Sequence, residues 1–226
     1  FEYCRPDTLE EVMELLAEFG GDASIISGGV SLGAMLNMRL VRPKALIDIN
    51  HVQELENVEF DDATAITGAL VRQAAAQKIT SLMSGVPLLA MSLPWVGHYQ
   101  TKSRGTLGGS VAHADPSAEI PLSLVTLGGS VTLRSPSGVR EVAARSFFHG
   151  LLTTDRRPDE LITALNWPLR RAKTAYAFEE IAQRHGDFAI TAVAAEATVA
   201  IDGTLANVSF GLGGVEDHPI VADTAG

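Results

Sequence analysis

Two paired glycines, far apart in the chain, constrain the fold more than any other feature. They lie in "IISGGVSLGAML", from Ile25 to Leu36, and in "RGTLGGSVAHADPSAEIP", residues 104–121. Glycine has no Cβ and reaches φ > 0, so a strand that ends in Gly-Gly and feeds a helix turns sharply and leaves several backbone N–H groups pointing one way. The helix dipole adds to them, which favours an anion at the N-terminus of the segment starting near Ser31. Ser27 and Ser31 in the first segment, and Thr106 and Ser110 in the second, contribute hydroxyl donors of the same kind. Two segments of one type point to one ligand with two phosphates. Read singly, each pair simply makes a tight turn. Neither contains GxGxxG, and GxxxxGK[ST] is absent, so neither a Rossmann fingerprint nor a Walker A loop is available.

The surroundings of the first pair are readable. "DTLEEVMELLAEFGG" has Thr8 and Glu11 at capping-box spacing, an apolar stripe at Leu9, Val12, Leu15, Leu16 and Phe19, and a Gly20–Gly21 stop, which predicts a helix. "ASII" reads as a short buried strand, "LGAMLNMRL" as a second helix and "ALIDI" after Pro43 as another strand, a βαβ-like order. Beyond Asn57, "ATAITGAL" alternates as a half-buried strand, while "LVRQAAAQK" and "PLLAMSLPWVG" look helical. "GSVTLRSPSGVREVA" predicts a hairpin around Pro136–Gly138, and "ELITALNW" a further strand. "AITAVAAEATVAIDGTLANVSFGLGGV" is two long apolar stretches joined at Asp202–Gly203, a strong hairpin-turn dipeptide, although its alanines would also support a helix up to Val199. Composition shifts near residues 55 and 169 divide the chain into 1–55, 56–168 and 169–226.

Bulk properties exclude several roles. With a net charge of −10 the surface as a whole repels nucleic acid and anionic lipid, so an anionic ligand must be held by local donors. Arg39, Arg42, Lys44, Lys102 and Arg104 flank the two segments, either as a solvated face or as charges that help neutralise a diphosphate. Cys4 is the only cysteine, so the chain forms no internal disulfide and cannot ligate an iron–sulfur cluster; a reducing, cytoplasmic location is expected. No apolar run approaches the ~18 residues of a membrane span. The start at Phe1 and the end at "VADTAG" lead us to expect further residues at both ends.

Asp115 and Glu119 lie four apart, near the first turn of a helix expected to run from about Pro116 to Leu127. There they either complement the helix dipole or accept hydrogen bonds from ribose or ribityl hydroxyls of a ligand whose phosphates rest on "TLGGS". His113, Asp115 and Glu119 form a poor metal set, with no third strong nitrogen or sulfur donor nearby. Cys4 has no neighbouring histidine, so nucleophilic hydrolase chemistry at that thiol lacks support.

Taken together, "DASIISGGVSLGAMLNMRLVRPKALIDIN", "QTKSRGTLGGSVAHADPSAEIPL", "SFFHG", "DELITALNWP", "RHGDFAITAVAA" and "GLGGV" resemble the FAD-binding medium subunit of molybdenum hydroxylases, the carbon monoxide dehydrogenase and xanthine dehydrogenase family. The resemblance implies an α+β chain with the FAD-binding fold of the vanillyl-alcohol oxidase type. It comprises a small α/β subdomain (1–55), a larger α+β subdomain with an antiparallel sheet (56–168) and a partial C-terminal domain (169–226). It implies FAD held by backbone donors of Ile26, Ser27, Gly28, Gly29, Val30, Ser31 and Leu32 and of Thr106, Leu107, Gly108, Gly109 and Ser110. It also implies an acidic ligand at Glu119, where Asp is common, and a main-chain contact at Ile162. No catalytic acid or base and no metal ligand is expected in this chain. Where several relatives have a lysine after the aromatic that precedes the RxGD-like stretch, Glu179 follows Phe178, which bears on the flavin electrostatics.

The implied role is electron transfer. A large molybdopterin-binding partner hydroxylates a gas, an aldehyde, a purine or another N-heterocycle, a small partner carries [2Fe–2S] centres, and FAD passes electrons to an external acceptor, in a dimer of heterotrimers. The alternatives are a stand-alone flavin oxidase or reductase of the same fold, a non-redox enzyme using Asp115 and Glu119 as acid and base, and a binding module for some other diphosphate ligand.

Overall fold

A computed structural model of the chain describes residues 1–223. Strand β1 (Glu2–Cys4) leads into helix α1 (Leu9–Phe19), where Thr8 Oγ1 accepts from the Glu11 amide at 3.2 Å and the Glu11 carboxylate accepts from the Asp7 amide at 2.7 Å. Leu9, Val12, Met13 and Leu16 make its buried face, and Gly20, with φ +49, ends it. Strand β2 (Ala23–Ile26), helix α2 (Val30–Asn37) and strand β3 (Ala45–Asp48) follow as the predicted βαβ unit. β3 is central, with β1 and β2 parallel on either side; β1 was not legible in the sequence.

The second sheet has the order β4-β5-β10-β6-β7 and is antiparallel throughout. It begins with β4 (Val58–Phe60) and β5 (Thr64–Gly68). Six short helices then intervene: α3 (Gln73–Ala76), α4 (Thr80–Gly85), α5 (Pro87–Ser92), α6 (Tyr99–Arg104), α7 (Leu107–His113) and α8 (Glu119–Thr126). β6 (Ser130–Ser135) and β7 (Gly138–Ala143) form the expected hairpin, and after the small ribbon of β8 (Phe148–Gly150) and β9 (Thr153–Thr154), β10 (Leu161–Pro168) inserts at the sheet centre. Trp167, fully buried there, donates from Nε1 to Thr67 Oγ1 at 3.0 Å, which satisfies both polar atoms inside the core.

The third sheet runs in sequence order, antiparallel: β11 (Thr174–Ala182), β12 (Ala189–Val199), β13 (Leu205–Gly213) and β14 (Ile220–Asp223). Residues 189–199 are therefore strand, paired on both edges, with the turn at Asp202–Gly203. Their small side chains let the sheet lie close to α5 and α8, and Phe178, Ala189, Ala192 and Ala194 join the main core with Leu88, Leu89, Ile120 and Leu124. A second core gathers α1, β3 and the residues after β3, closed by Leu70 and Leu161 from the middle of the chain.

Two expectations are corrected. "LVRQAAAQK" contains only the four-residue α3, because Val71 and Gln73 are drawn into backbone bonds with the segment before α7. α8 starts at Glu119, not Pro116, because Asp115 Oδ1 accepts from the Ser117 amide at 2.9 Å and holds residues 115–117 in a turn.

Candidate functional site

Ser27 leaves β2 and Gly29, at φ +70 and ψ 7, caps α2, a backbone state that glycine adopts freely. The first helical amide bond of α2 is Gly33 N–H to the Gly29 carbonyl, at 2.9 Å. The amides of Gly28, Gly29, Val30, Ser31 and Leu32 donate to no group among the described residues. An open set of this kind at a helix N-terminus suits an anion.

The second pair differs from its sequence reading. Gly108 and Gly109 lie in the first turn of α7, not in a loop, and every amide from Leu107 to Ser110 is engaged. Leu107 N–H donates to the Val71 carbonyl (2.9 Å), Gly108 to the Ala69 carbonyl (3.1 Å), Gly109 to Thr106 Oγ1 (2.9 Å) and Ser110 to the Thr106 carbonyl (3.2 Å). The stretch after β5 runs alongside this turn and takes its donors. Gly108 permits the approach, since a Cβ there would sit 2.6 Å from the Ala69 Cβ. A cradle of amides in both segments is thus corrected to an open one at 28–32 and a closed one at 107–110, where the Ser110 hydroxyl remains without a partner among the described residues.

The two segments nevertheless meet. Ser27 Oγ lies 3.2 Å from Thr106 Oγ1, and a Cβ on buried Gly28 would fall 2.3 Å from the Arg104 carbonyl oxygen. A polar clasp fixes the seam. Asn50, just beyond β3, donates from Nδ2 to the Ser27 carbonyl at 2.8 Å and also to Asp48 Oδ1. Arg72, between β5 and α3, donates to Asn50 Oδ1 and to the Arg104 carbonyl. Against the cost of partial burial, hydrogen bonds from Tyr3 (2.6 Å) and Asn50 hold the Asp48 carboxyl below the usual range.

Glu119 opens α8 with only 8 % of its surface exposed. Burial pushes its carboxyl up to about 7, with the charges of Glu180 and Asp115 adding to the effect and Lys102 opposing it. Glu180 is also buried, its carboxyl raised by burial, and neither of its oxygens has a partner among the described residues. The residue facing inward is therefore Glu180, while Glu179, on the other face of β11, is exposed. Asp115 serves its turn, and His113 makes no side-chain hydrogen bond among the described residues. Ile162 is buried at a bulge in β10; the neighbouring Thr163 carbonyl accepts from Ala69, the residue packed on Gly108. Of the flanking cations, Lys44 pairs with Asp22 at 2.7 Å and Lys102 donates to the Leu93 and Pro94 carbonyls, while Arg39, Arg42 and Arg104 are exposed.

An open amide set and neighbouring hydroxyls, brought together from two distant segments, suit a phosphate-bearing ligand. Residues 1–170 match the family described as "FAD binding domain in molybdopterin dehydrogenase". The chain belongs to this FAD-binding family. It is 39 % identical over 199 residues to the 6-hydroxypseudooxynicotine dehydrogenase complex subunit alpha of Paenarthrobacter nicotinovorans, covering 88 % of this chain and 67 % of that one. It is 38 % identical over 190 residues to the caffeine dehydrogenase subunit beta of a Pseudomonas species, covering 84 % of this chain and 64 % of that one. Among solved structures, carbon monoxide dehydrogenase from Hydrogenophaga pseudoflava superposes with a TM-score of 0.95 at 30 % identity over 100 % of this chain and 78 % of its own. The chain thus spans about two thirds of the length of the two curated relatives named here. The α+β architecture implied by the resemblance is that of the family.

Sequence reasoning missed Asn50, Arg72, Gln73 and Glu180. Period-two alternation from buried Phe178 was a signal for Glu180. Gln73 lies beneath the second segment, donating to the Thr106 carbonyl at 3.4 Å, with its Oε1 buried and unpartnered. For Arg72 and Asn50 no local pattern exists.

Proposed function

We propose that the chain binds FAD across the seam between Ser27–Leu32 and Thr106–Ser110 and serves as the electron-transfer flavoprotein subunit of a molybdenum hydroxylase. One observation carries the reading: two segments distant in the chain meet at the Ser27–Thr106 contact beside five unpaired amides. The residues present fit the cofactor. The amides of Gly28–Leu32 lack acceptors that a diphosphate would supply, and the buried Glu180 oxygens lack donors of the kind that ribityl and ring groups would supply.

In this reading the amides of Gly28–Leu32 hold the diphosphate, Ile26 and Ser27 set the turn that presents them, and Thr106–Ser110 contribute shape and the Ser110 hydroxyl. Glu119 accepts from a hydroxyl, and Ile162 offers a main-chain contact. Bound FAD supplies a carrier that exchanges electrons singly or in pairs. The chain itself orients the carrier, excludes water with its core and sets the local charge through Glu119, Glu180 and Arg72. Its single cysteine cannot ligate a cluster, so [2Fe–2S] centres and the molybdopterin belong to a small and a large partner, assembled as a dimer of heterotrimers in the cytoplasm. With units taken at 1–55, 56–168 and 169–226, the seam would lie between the first two.

A visible absorption spectrum of the purified, FAD-supplemented chain tests this directly. Flavin bands at close to one equivalent are expected, and a colourless protein after supplementation would overturn the reading. Co-purification from the native source should recover the two partner chains.

A further inference from the structure

We infer that Arg72 is the cation that the seam presents to the ligand's diphosphate, and that it positions both glycine segments to receive it. The inference rests on the FAD reading and deepens it, since neither the family match nor the sequence pattern singles out this residue.

The geometry places the guanidinium one hydrogen bond from the second segment and two, through Asn50, from the first. One terminal nitrogen donates to the Arg104 carbonyl, the oxygen against which Gly28 packs; the other donates to Asn50 Oδ1, whose amide nitrogen holds the Ser27 carbonyl. Both acceptors are neutral. No carboxylate pairs with Arg72, and its remaining N–H groups find no acceptor among the described residues. A half-buried guanidinium with no carboxylate in direct contact, balanced only through space by Glu56 and Asp48, is costly, and a ligand anion beside it would add to that balance. Burial, then the nearby charge of Arg104, already weakens its hold on the proton.

The other cations near the seam do not meet the need as well. Lys44 is paired with Asp22, Lys102 is turned to the Leu93 and Pro94 carbonyls, and Arg39, Arg42 and Arg104 are exposed. In a chain of net charge −10 the general field repels a diphosphate, so a fixed local cation has most to contribute. The planar fork of arginine suits two jobs at once: two donors hold the protein, and the rest face the anion.

Arg72→Met, Arg72→Gln and Arg72→Lys in the full chain, freed of flavin and titrated with FAD at about 50 mM and about 1 M salt, provide the test. Loss of the charge should weaken FAD binding by roughly 10–100-fold at low salt. The deficit should shrink at least about threefold at high salt, where the wild-type attraction is screened. Arg72→Lys should return to within roughly fivefold of wild type at low salt. If Arg72→Met does not unfold cooperatively, Arg72→Gln is read in its place. FAD affinity within about twofold of wild type in the neutral variants would overturn the inference. So would a deficit that salt leaves unchanged and lysine does not repair, because that pattern belongs to a framework residue. Should the wild-type chain take up no FAD, the parent reading fails first, a result distinguished by needing no variant.

Discussion

The hydroxyl oxygens of Ser27 and Thr106 stand 3.2 Å apart although 79 positions separate them in the chain. Thr106 has a second partner, since its Oγ1 also accepts from Gly109 N–H at 2.9 Å and so caps α7. Thr106→Val should cost about 1–2 kcal/mol, and Thr106→Ser should recover most of it. Urea denaturation of the two variants measures this; equal stabilities would mean that the hydroxyl contributes nothing to the helix start.

Gly28 and Gly33 offer a matched pair. A Cβ on Gly28 would fall 2.3 Å from the Arg104 carbonyl oxygen, whereas one on Gly33 meets nothing within 4 Å. Gly28→Ala should force the segments apart, costing ~1–3 kcal/mol and lowering flavin occupancy by roughly 5–100-fold. Gly33→Ala, within α2, should stabilise the chain by about 0.5–1 kcal/mol. Occupancy read from the absorption spectrum separates the two, and equal occupancy would show that the close approach at Gly28 has no bearing on binding.

Glu119 makes the flavin-free chain sensitive to alkali. Its folded carboxyl, at about 7, holds a proton that the unfolded chain releases near the ordinary carboxyl value of 4.5. Between those values the folded state binds more protons, so stability falls as pH rises and the full cost, on the order of 3 kcal/mol, is present above about 7. Glu119→Gln should therefore resemble wild type at pH ~5 and exceed it at pH ~8. Denaturant midpoints at the two pH values decide the matter; a parallel offset at both would contradict the assignment.

Arg140 holds a buried carboxylate. It donates to Glu160 through Nε at 2.6 Å and a terminal nitrogen at 2.8 Å, and its other terminal nitrogen reaches Asp155 at 2.5 Å. The Glu160 side chain is 3 % exposed, and the bonds from Arg140 keep its carboxyl below the ordinary range. Arg140→Met should destabilise by about 3–5 kcal/mol, since it leaves Glu160 without its counter-charge. Adding Glu160→Gln should return a large part of the loss, and a purely additive double variant would refute the coupling.

Where signals were local, they were legible. The capping residues of α1, the βαβ order of residues 23–48 and the Asp202–Gly203 turn each follow from a few neighbouring side chains. The glycine segments were found for the same reason, yet the state of their amides was not, because the acceptors of 107 and 108 come from residues 71 and 69. The short helices α4 and α5 owe their positions to buried Leu82, Leu88 and Leu89 rather than to side-chain caps or long stripes. β1 is too brief and too exposed to leave a pattern. Arg72 and Asn50 act through tertiary neighbours alone, so nothing in their own windows marks them.

Because Ser27 and Thr106 lie 79 positions apart, the meeting point of their segments does not exist on a nascent polypeptide until the later one has left the ribosome. At ~5–20 residues per second that gap corresponds to roughly 4–16 s of synthesis, during which the open amides of the earlier segment stand alone. Nucleotide capture then becomes a late event in biogenesis, and colour in the purified protein doubles as a record that long-range assembly was completed.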